Sequence, residues 1–72
     1  MAMDEDEIIR RLMADATGKF EDAATLASDA QARGVGSKAR HQLALDIERL
    51  AADAGALARA TRCVIETDPT ND

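Results

Sequence analysis

Residues 43–65, LALDIERLAADAGALARATRCVI, repeat a pair of apolar residues every seven positions. Leu-Ala occurs at 43/44, 50/51 and 57/58, and Val64-Ile65 holds the fourth place. A seven-residue repeat keeps one stripe of a slightly underwound helix facing a partner. We therefore predict a helix that packs lengthwise through a stripe stepping by four and three residues, namely Leu43, Ile47, Leu50, Ala54, Leu57, Thr61 and Val64.

The first half of the chain carries a similar pattern, in which Asp-Ala occurs at 15/16, 22/23 and 29/30. Asp4 is a favoured N-cap residue, and Glu7 stands three positions later, as in a capping box. The acids between them suit the positive end of the helix dipole. We expect a first helix at about residues 4–33 with the seam stripe Ile9, Met13, Ala16, Phe20, Ala23, Ala27 and Ala30.

A short break separates the two patterns. Gly34 suits a left-handed position at the end of a helix, and Ser37 can cap the next helix. We place the turn at residues 34–37 and the second helix at about residues 38–66. Pro69 cannot continue a helix, so residues 67–72 are expected to form a flexible polar tail.

The turn brings the two stripes face to face. A reversal centred on Val35 sets small residues opposite large ones in most layers of the seam. The predicted pairs are Phe20 with Leu50, Ala23 with Ile47, Ala27 with Leu43, Met13 with Leu57 and Ala16 with Ala54. The predicted fold is a single all-α domain over residues 1–72. It is an antiparallel two-helix hairpin with an alanine-rich, coiled-coil-like seam.

The composition provides few large apolar side chains for the core of this hairpin. Sixteen of the 72 residues are Ala, and only sixteen are Val, Ile, Leu, Met or Phe. Small chains of this kind usually need a metal, disulfides or a partner to gain net stability. With one Cys and one His, neither an internal disulfide nor a familiar zinc cluster can form. We expect dimerisation or a partner helix to complete the fold.

Two different surfaces flank the predicted seam. One is a mixed edge, where Lys19 falls near Asp53 and Leu12 and Leu26 lie alongside. The other is a strip nearly free of charge, which we predict to be a protein-binding site for another helix. An alternative is that its alanines are merely good helix formers. The strip consists of Thr17, Ala24, Ala44, Ala51, Ala58 and Ile65.

No residue pattern points to catalysis, a cofactor or a bound metal. His41 is expected on the outer surface of the second helix, and Cys63 as a passive, partly buried thiol without a base to form its thiolate. Gly18 and Gly55 fall on outward positions of their helices. They mark either bends or contacts with a partner, or they reflect neutral drift. We therefore expect a protein that is not an enzyme.

The charge and the chain start indicate the partner class and the compartment. Nine Lys and Arg against fourteen Asp and Glu give a net charge of -5, which disfavours nucleic acid as a partner. The acidic start differs from a basic secretory signal, and no apolar run approaches the roughly 20 residues of a membrane span. Together with the lone thiol, these features predict a cytoplasmic protein without a membrane partner.

The layout resembles the small helical-hairpin co-chaperones of type III secretion needle subunits. The similar stretch covers roughly Asp6 to Glu66, with the turn at Arg33-Gly34 and the apolar series of the second helix in the corresponding place. The resemblance implies a cytoplasmic protein that packs against a tetratricopeptide-like chaperone and keeps the needle subunit from polymerising before export. The alternative is a dimeric four-helix-bundle adaptor or an RNA-binding regulator, and a homodimer is expected when the protein is isolated.

Overall fold

The computed structural model describes residues 4–67 and contains two helices, α1 (Glu5–Ala30) and α2 (Ser37–Thr67), with no strand in that part of the chain. The helices pack side by side in an antiparallel hairpin. Its principal extents are 54, 20 and 17 Å, as expected for two paired helices, since the 31 residues of α2 span about 46 Å at 1.5 Å per residue. The predicted all-α hairpin is confirmed.

The start of α1 follows the capping signal in the sequence. The Oδ1 atom of Asp4 accepts a hydrogen bond from the Glu7 backbone N–H at 2.8 Å. This bond satisfies one of the amides that a helix N-terminus leaves without a partner. The Glu7 carboxylate does not complete a capping box; it pairs with Arg11 at 3.2 Å, one helical turn further on.

The end of α1 comes earlier than expected. The helix ends at Ala30 and not at residue 33. The backbone N–H of Gln31, the C-cap residue, donates to the Ser28 carbonyl at 3.1 Å. Gly34 has a φ of 87°, the left-handed conformation predicted for it, but within the turn instead of at the helix end. Ser37 is already the first helical residue of α2, one position beyond the capping role expected of it.

Arg40 ties the two helices together at the turn. Its Nε donates to the Ala30 carbonyl at 3.0 Å and its Nη2 donates to the Ala32 carbonyl at 3.4 Å. The last carbonyls of a helix have no partner within the helix, and here a guanidinium from the next helix supplies one. No pattern in the sequence indicates this role of Arg40.

The end of α2 agrees with expectation to within one residue. The helix runs through Thr67, whose hydroxyl donates to the Cys63 carbonyl at 2.8 Å. The predicted tail began at residue 67, so its first residue is helical instead. Residues 68–72 lie outside the described part of the chain.

The seam stripe predicted for α2 is confirmed. Ala54 is 1 % exposed and Thr61 is 8 % exposed, and the Thr61 hydroxyl donates to the Leu57 carbonyl at 3.0 Å, so its burial leaves no polar group unpaired. The larger members of the stripe are half-buried, namely Leu43, Ile47, Leu50, Leu57 and Val64. The helix faces α1 through the residues expected of it.

The stripe predicted for α1 is wrong at two large residues. Phe20 is 62 % exposed and Met13 is 36 % exposed, whereas the residues one position earlier, Lys19 and Leu12, are half-buried. The observed stripe also steps by three and four and shares several alanines with the predicted one: Leu12, Ala16, Lys19, Ala23, Leu26 and Ala30.

Helix separation explains why Phe20 lies outside the seam. Ala16 and Ala54 are both buried, and contact between small residues lets two helices approach closely. A phenyl ring one turn beyond Ala16 would force the helices apart. The Lys19 side chain can instead cover the seam with its methylene groups while its ammonium reaches solvent and a carboxylate.

Candidate docking face

Lys19 and Phe20 lie on opposite sides of the seam. Ala16 is 7 % exposed and therefore marks the side of α1 that faces α2. Three residues turn a helix by about 300° and four residues by about 400°, so Lys19 and Phe20 are displaced from Ala16 in opposite directions. The mixed edge and the face that bears Phe20 are therefore different surfaces of the hairpin.

An interhelical ion pair fixes which side of α2 accompanies Phe20. The Lys19 Nζ atom lies 4.0 Å from Oδ2 of Asp53, as the sequence predicted. Asp53 is displaced to one side of buried Ala54, while Ala51 and Ala58, three residues before and four after Ala54, are displaced to the other. Phe20 therefore shares a side with Ala51 and Ala58.

This side contains every residue of the predicted binding strip, and all of them are exposed: Thr17, Ala24, Ala44, Ala51, Ala58 and Ile65. Helical spacing adds Met13 and Phe20, since Met13, Thr17, Phe20 and Ala24 step by four, three and four residues. We call these eight residues together the Phe20 face. Phe20 is the largest exposed apolar residue on it.

The Phe20 face presents few groups that would resist dehydration. Its only polar side chain is that of Thr17, and the Thr17 hydroxyl donates to the Met13 carbonyl at 2.9 Å. That bond satisfies the hydroxyl within its own helix. At the α2 margin, Arg62 is paired with Glu66 at 3.5 Å. A second apolar surface can therefore cover these eight residues without leaving the Thr17 hydroxyl unpaired.

Phe20 and Met13 were predicted in the seam because two heptad registers fit α1 equally well. Both registers contain Ala16, Ala23 and Ala30, and only the positions between them differ. Residue size favoured Phe20 over Lys19 for the seam. The signal that could have decided otherwise was Lys19 itself, because its predicted contact with Asp53 already requires it to lie at the seam edge.

The side of the hairpin opposite the Phe20 face is the mixed edge. It is rich in aspartates, and we call it the aspartate edge from here on. Leu12 and Leu26 are half-buried there, in agreement with their predicted position. A shallow groove along it is lined by Asp22, Thr25, Leu26, Asp46, Arg49 and Leu50. The heptad spacing of Asp15, Asp22 and Asp29 places negative charge along this edge, away from the Phe20 face.

The remaining reactive side chains stand apart from one another. His41 is exposed, as expected, and Cys63 is exposed, which corrects its predicted partial burial. Among residues 4–67 no three His, Cys, Asp or Glu side chains come together in a way that could hold a metal ion. Within the same residues, neither helix is long and apolar enough to cross a membrane.

No protein-family model, curated protein or solved structure matches this chain. The Phe20 face is therefore interpreted from its own chemistry. It combines one large exposed ring with small side chains on two parallel ridges, and an apolar patch of this kind on a small protein usually marks an interaction surface.

Proposed function

We propose that this protein is a non-enzymatic helix-binding protein, which docks an amphipathic helix of a partner on the Phe20 face. The observation that carries the proposal is the 62 % exposure of Phe20 on a surface otherwise made of small side chains. Aromatic residues are frequent anchors of protein interfaces because they bury a large area with little loss of conformational freedom. An exposed ring of this kind suits such an anchor.

The proposed mechanism is shielding. Alanines such as Ala51 and Ala58 let a partner helix approach closely, and Phe20 fills the space between its apolar side chains. The aspartate edge remains in water and supplies much of the net charge of -5, which keeps the complex soluble. The partner would thereby be held in a form that cannot aggregate.

The most concrete version of this function is a cytoplasmic co-chaperone for a type III secretion needle subunit, acting with a tetratricopeptide-like chaperone. Two features support it: the antiparallel hairpin of α1 and α2, and the glycine-containing turn near the middle of the chain. A needle subunit that polymerises through amphipathic helices is the kind of client that an apolar hairpin face would protect.

A dimeric adaptor is the alternative, and an RNA-binding regulator is its less favoured form. Phosphate binding requires available basic side chains. Five of the nine Lys and Arg are already engaged: Arg10, Arg11, Lys19 and Arg62 in ion pairs, and Arg40 with the carbonyls that end α1. RNA binding would compete with these contacts or rely on the four other bases, which are Arg33, Lys38, Arg49 and Arg59.

Co-purification from the native cells tests the proposal. The tagged protein is compared with Ala51→Glu, which puts a carboxylate in the Phe20 face, and with Ala52→Glu, an exposed control on the outer side of the same helix. The wild type and the control should retain a helical partner that Ala51→Glu loses, because burying an unpaired charge is costly.

The identity of what co-purifies discriminates the candidates. A needle subunit or a tetratricopeptide protein supports the co-chaperone version, and RNA supports the regulator. If Ala51→Glu keeps every companion of the wild type while circular dichroism shows it to be folded, the Phe20 face is not the docking surface and the proposal is wrong.

A further inference from the structure

We infer that the Phe20 face has a resting occupant, which is a second copy of this chain related by a two-fold axis that crosses the long direction of the hairpin. The result is an antiparallel four-helix bundle. The inference rests on the proposed function insofar as both use the Phe20 face. It adds that the partner helix must displace a second copy of the hairpin, so that self-association regulates access to the face.

The isolated hairpin buries too little apolar surface to be very stable alone. Within residues 4–67 only Ala16, Ala54 and Thr61 are less than 9 % exposed, and no large side chain is fully buried. Hairpins of this size gain most of their stability from large apolar side chains removed from water. Covering the Phe20 face would bury Met13, Phe20 and Ile65, three of the four large apolar residues that are exposed within residues 4–67.

The hairpin side that bears the Phe20 face is long enough for a dimer interface. The hairpin measures 54 by 20 by 17 Å. In projection one long side covers about 1,000 Å², so a standard interface of roughly 800 Å² per partner would take up most of that side, including its margins. A single partner helix would cover only part of this area, whereas a second hairpin matches both ridges.

The face is also complementary to itself. A two-fold axis across the hairpin places each residue of α1 opposite an α1 residue of the other copy, with the chain direction reversed. If the two hairpins overlap along their full length, the axis passes close to Ala51 of α2. On α1 it then lies at the level of the helical turn between Thr17 and Phe20. Phe20 then covers Thr17 of the second copy and Met13 covers Ala24, so each large side chain meets a small one.

Charge selects this arrangement over one in which the two hairpins point the same way. The start of α1 carries four consecutive acids, Asp4 to Glu7, and stays acidic although two of them pair with Arg10 and Arg11. The turn at the other end carries three bases, Arg33, Lys38 and Arg40. Reversing the second copy sets each acidic end beside a basic turn, where opposite charges attract. Hairpins pointing the same way would bring the two acidic ends together, and like charges repel.

Cysteine cross-linking tests the arrangement directly. In a Cys63→Ser background, Ala51→Cys places one thiol close to the proposed axis, within reach of its own counterpart. Ala52→Cys is the matched control on the outer side of α2. Under mild oxidation at micromolar concentration, the Ala51→Cys variant should form a disulfide-linked dimer at least about tenfold faster than the control, because only neighbouring thiols can bond.

Sedimentation provides the second measurement. The wild type should sediment at twice its chain mass of 7.7 kDa, and Ala51→Glu should weaken this association by about a hundredfold or more while remaining helical. A folded wild type that stays monomeric at tens of micromolar overturns the inference. Equal cross-linking of the two cysteine variants likewise overturns the antiparallel pairing.

The outcomes separate this inference from the proposed function. A monomeric wild type whose partner is still lost by Ala51→Glu refutes the dimer and retains helix docking. A cross-linked dimer whose Ala51→Glu variant keeps its cellular partner refutes docking on this face and retains the dimer. Addition of the purified partner to the dimer should release monomers if both are correct.

Discussion

Lys19 and Asp53 meet across the seam, with 4.0 Å between the ammonium nitrogen and a carboxylate oxygen. Lys19 lies 16 residues before Val35 and Asp53 lies 18 residues after it, so this contact agrees with the register predicted for a reversal centred on Val35. It also separates the two surfaces of the hairpin, because the residue after Lys19 is the exposed Phe20. The position of the Phe20 face thus follows from an ion pair on the other side of the seam.

The charge of Lys19 should matter less than its position. Its side chain is 39 % exposed and that of Asp53 is 52 % exposed, so water screens the pair, and Asp53→Ala should cost less than about 1 kcal/mol. Lys19→Leu should raise the unfolding free energy by about 1 kcal/mol, since it continues the heptad of Leu12 and Leu26 and adds apolar area to the seam.

Urea denaturation of both variants measures these differences. Lys38→Leu, at an exposed position near the turn, serves as the lysine control and should change stability little. Loss of more than about 1 kcal/mol in Lys19→Leu would show that Lys19 does not lie at the seam.

Alanine substitution of Leu50 and of Phe20 should lower the unfolding free energy by different amounts. Leu50 is half-buried in the seam, so Leu50→Ala should lower the unfolding free energy by about 2 kcal/mol, the low end of the range for buried leucines. Phe20→Ala should cost less than about 1 kcal/mol in the isolated hairpin, because its ring is already mostly in water. Its main effect should be on association.

Association and folding are linked by mass action, so these two variants are compared at several protein concentrations. At the lowest concentration Phe20→Ala should resemble the wild type in thermal melts, and at the highest it should melt lower. Ala52→Glu, on the outer side of α2, should follow the wild type throughout. A larger loss for Phe20→Ala than for Leu50→Ala at low concentration would mean that Phe20 lies in the seam after all.

The fold could be predicted from the sequence because its signals reinforce one another. The heptads of α2, the Asp4 cap and the glycine turn all indicate the same hairpin. The heptad pattern does not decide on which side Phe20 lies, because residues 19 and 20 each complete a heptad with Ala16 and Ala23. Apart from the predicted contact of Lys19 with Asp53, what decides between them is the close approach of the helices at Ala16 and Ala54, which is a tertiary effect.

The bond from Arg40 to the end of α1 should contribute to stability. Arg40→Ala removes donors to the Ala30 and Ala32 carbonyls and should cost about 1 kcal/mol, a typical net value for exposed hydrogen bonds. Arg40→Lys should recover less than half of the loss, because an ammonium cannot reproduce the planar fork that reaches two carbonyls.

Thermal melts of these variants, with Lys38→Ala as the control at a neighbouring exposed site, measure the contribution of Arg40. Faster hydrogen exchange of the amides in the last turn of α1 should accompany Arg40→Ala, since fraying starts at helix ends. Full recovery by lysine would indicate that charge alone, without the bidentate geometry, secures the turn.

The glycines of this chain should respond to alanine in opposite ways. A Cβ atom built on Gly18 meets no other atom within 4 Å, and one on Gly55 meets only the Arg59 side chain at an ordinary 3.5 Å. Both lie inside helices, where alanine is favoured over glycine, so each substitution should raise the unfolding free energy by about 1 kcal/mol. Circular dichroism melts of the single and double variants measure the gain, which should be additive across the two helices.

Gly34→Ala is the matched substitution that should lower the unfolding free energy. Its φ of 87° is a conformation that alanine adopts only at a cost of about 1 to 2 kcal/mol, although space is open around it. Gly34→Ala should therefore lower the unfolding free energy through backbone strain alone, without a steric clash. Gly34→Asn should lower it less, because asparagine tolerates the left-handed backbone conformation better than alanine. Equal melting temperatures for Gly34→Ala and the wild type would show that Gly34 does not hold the left-handed conformation in solution.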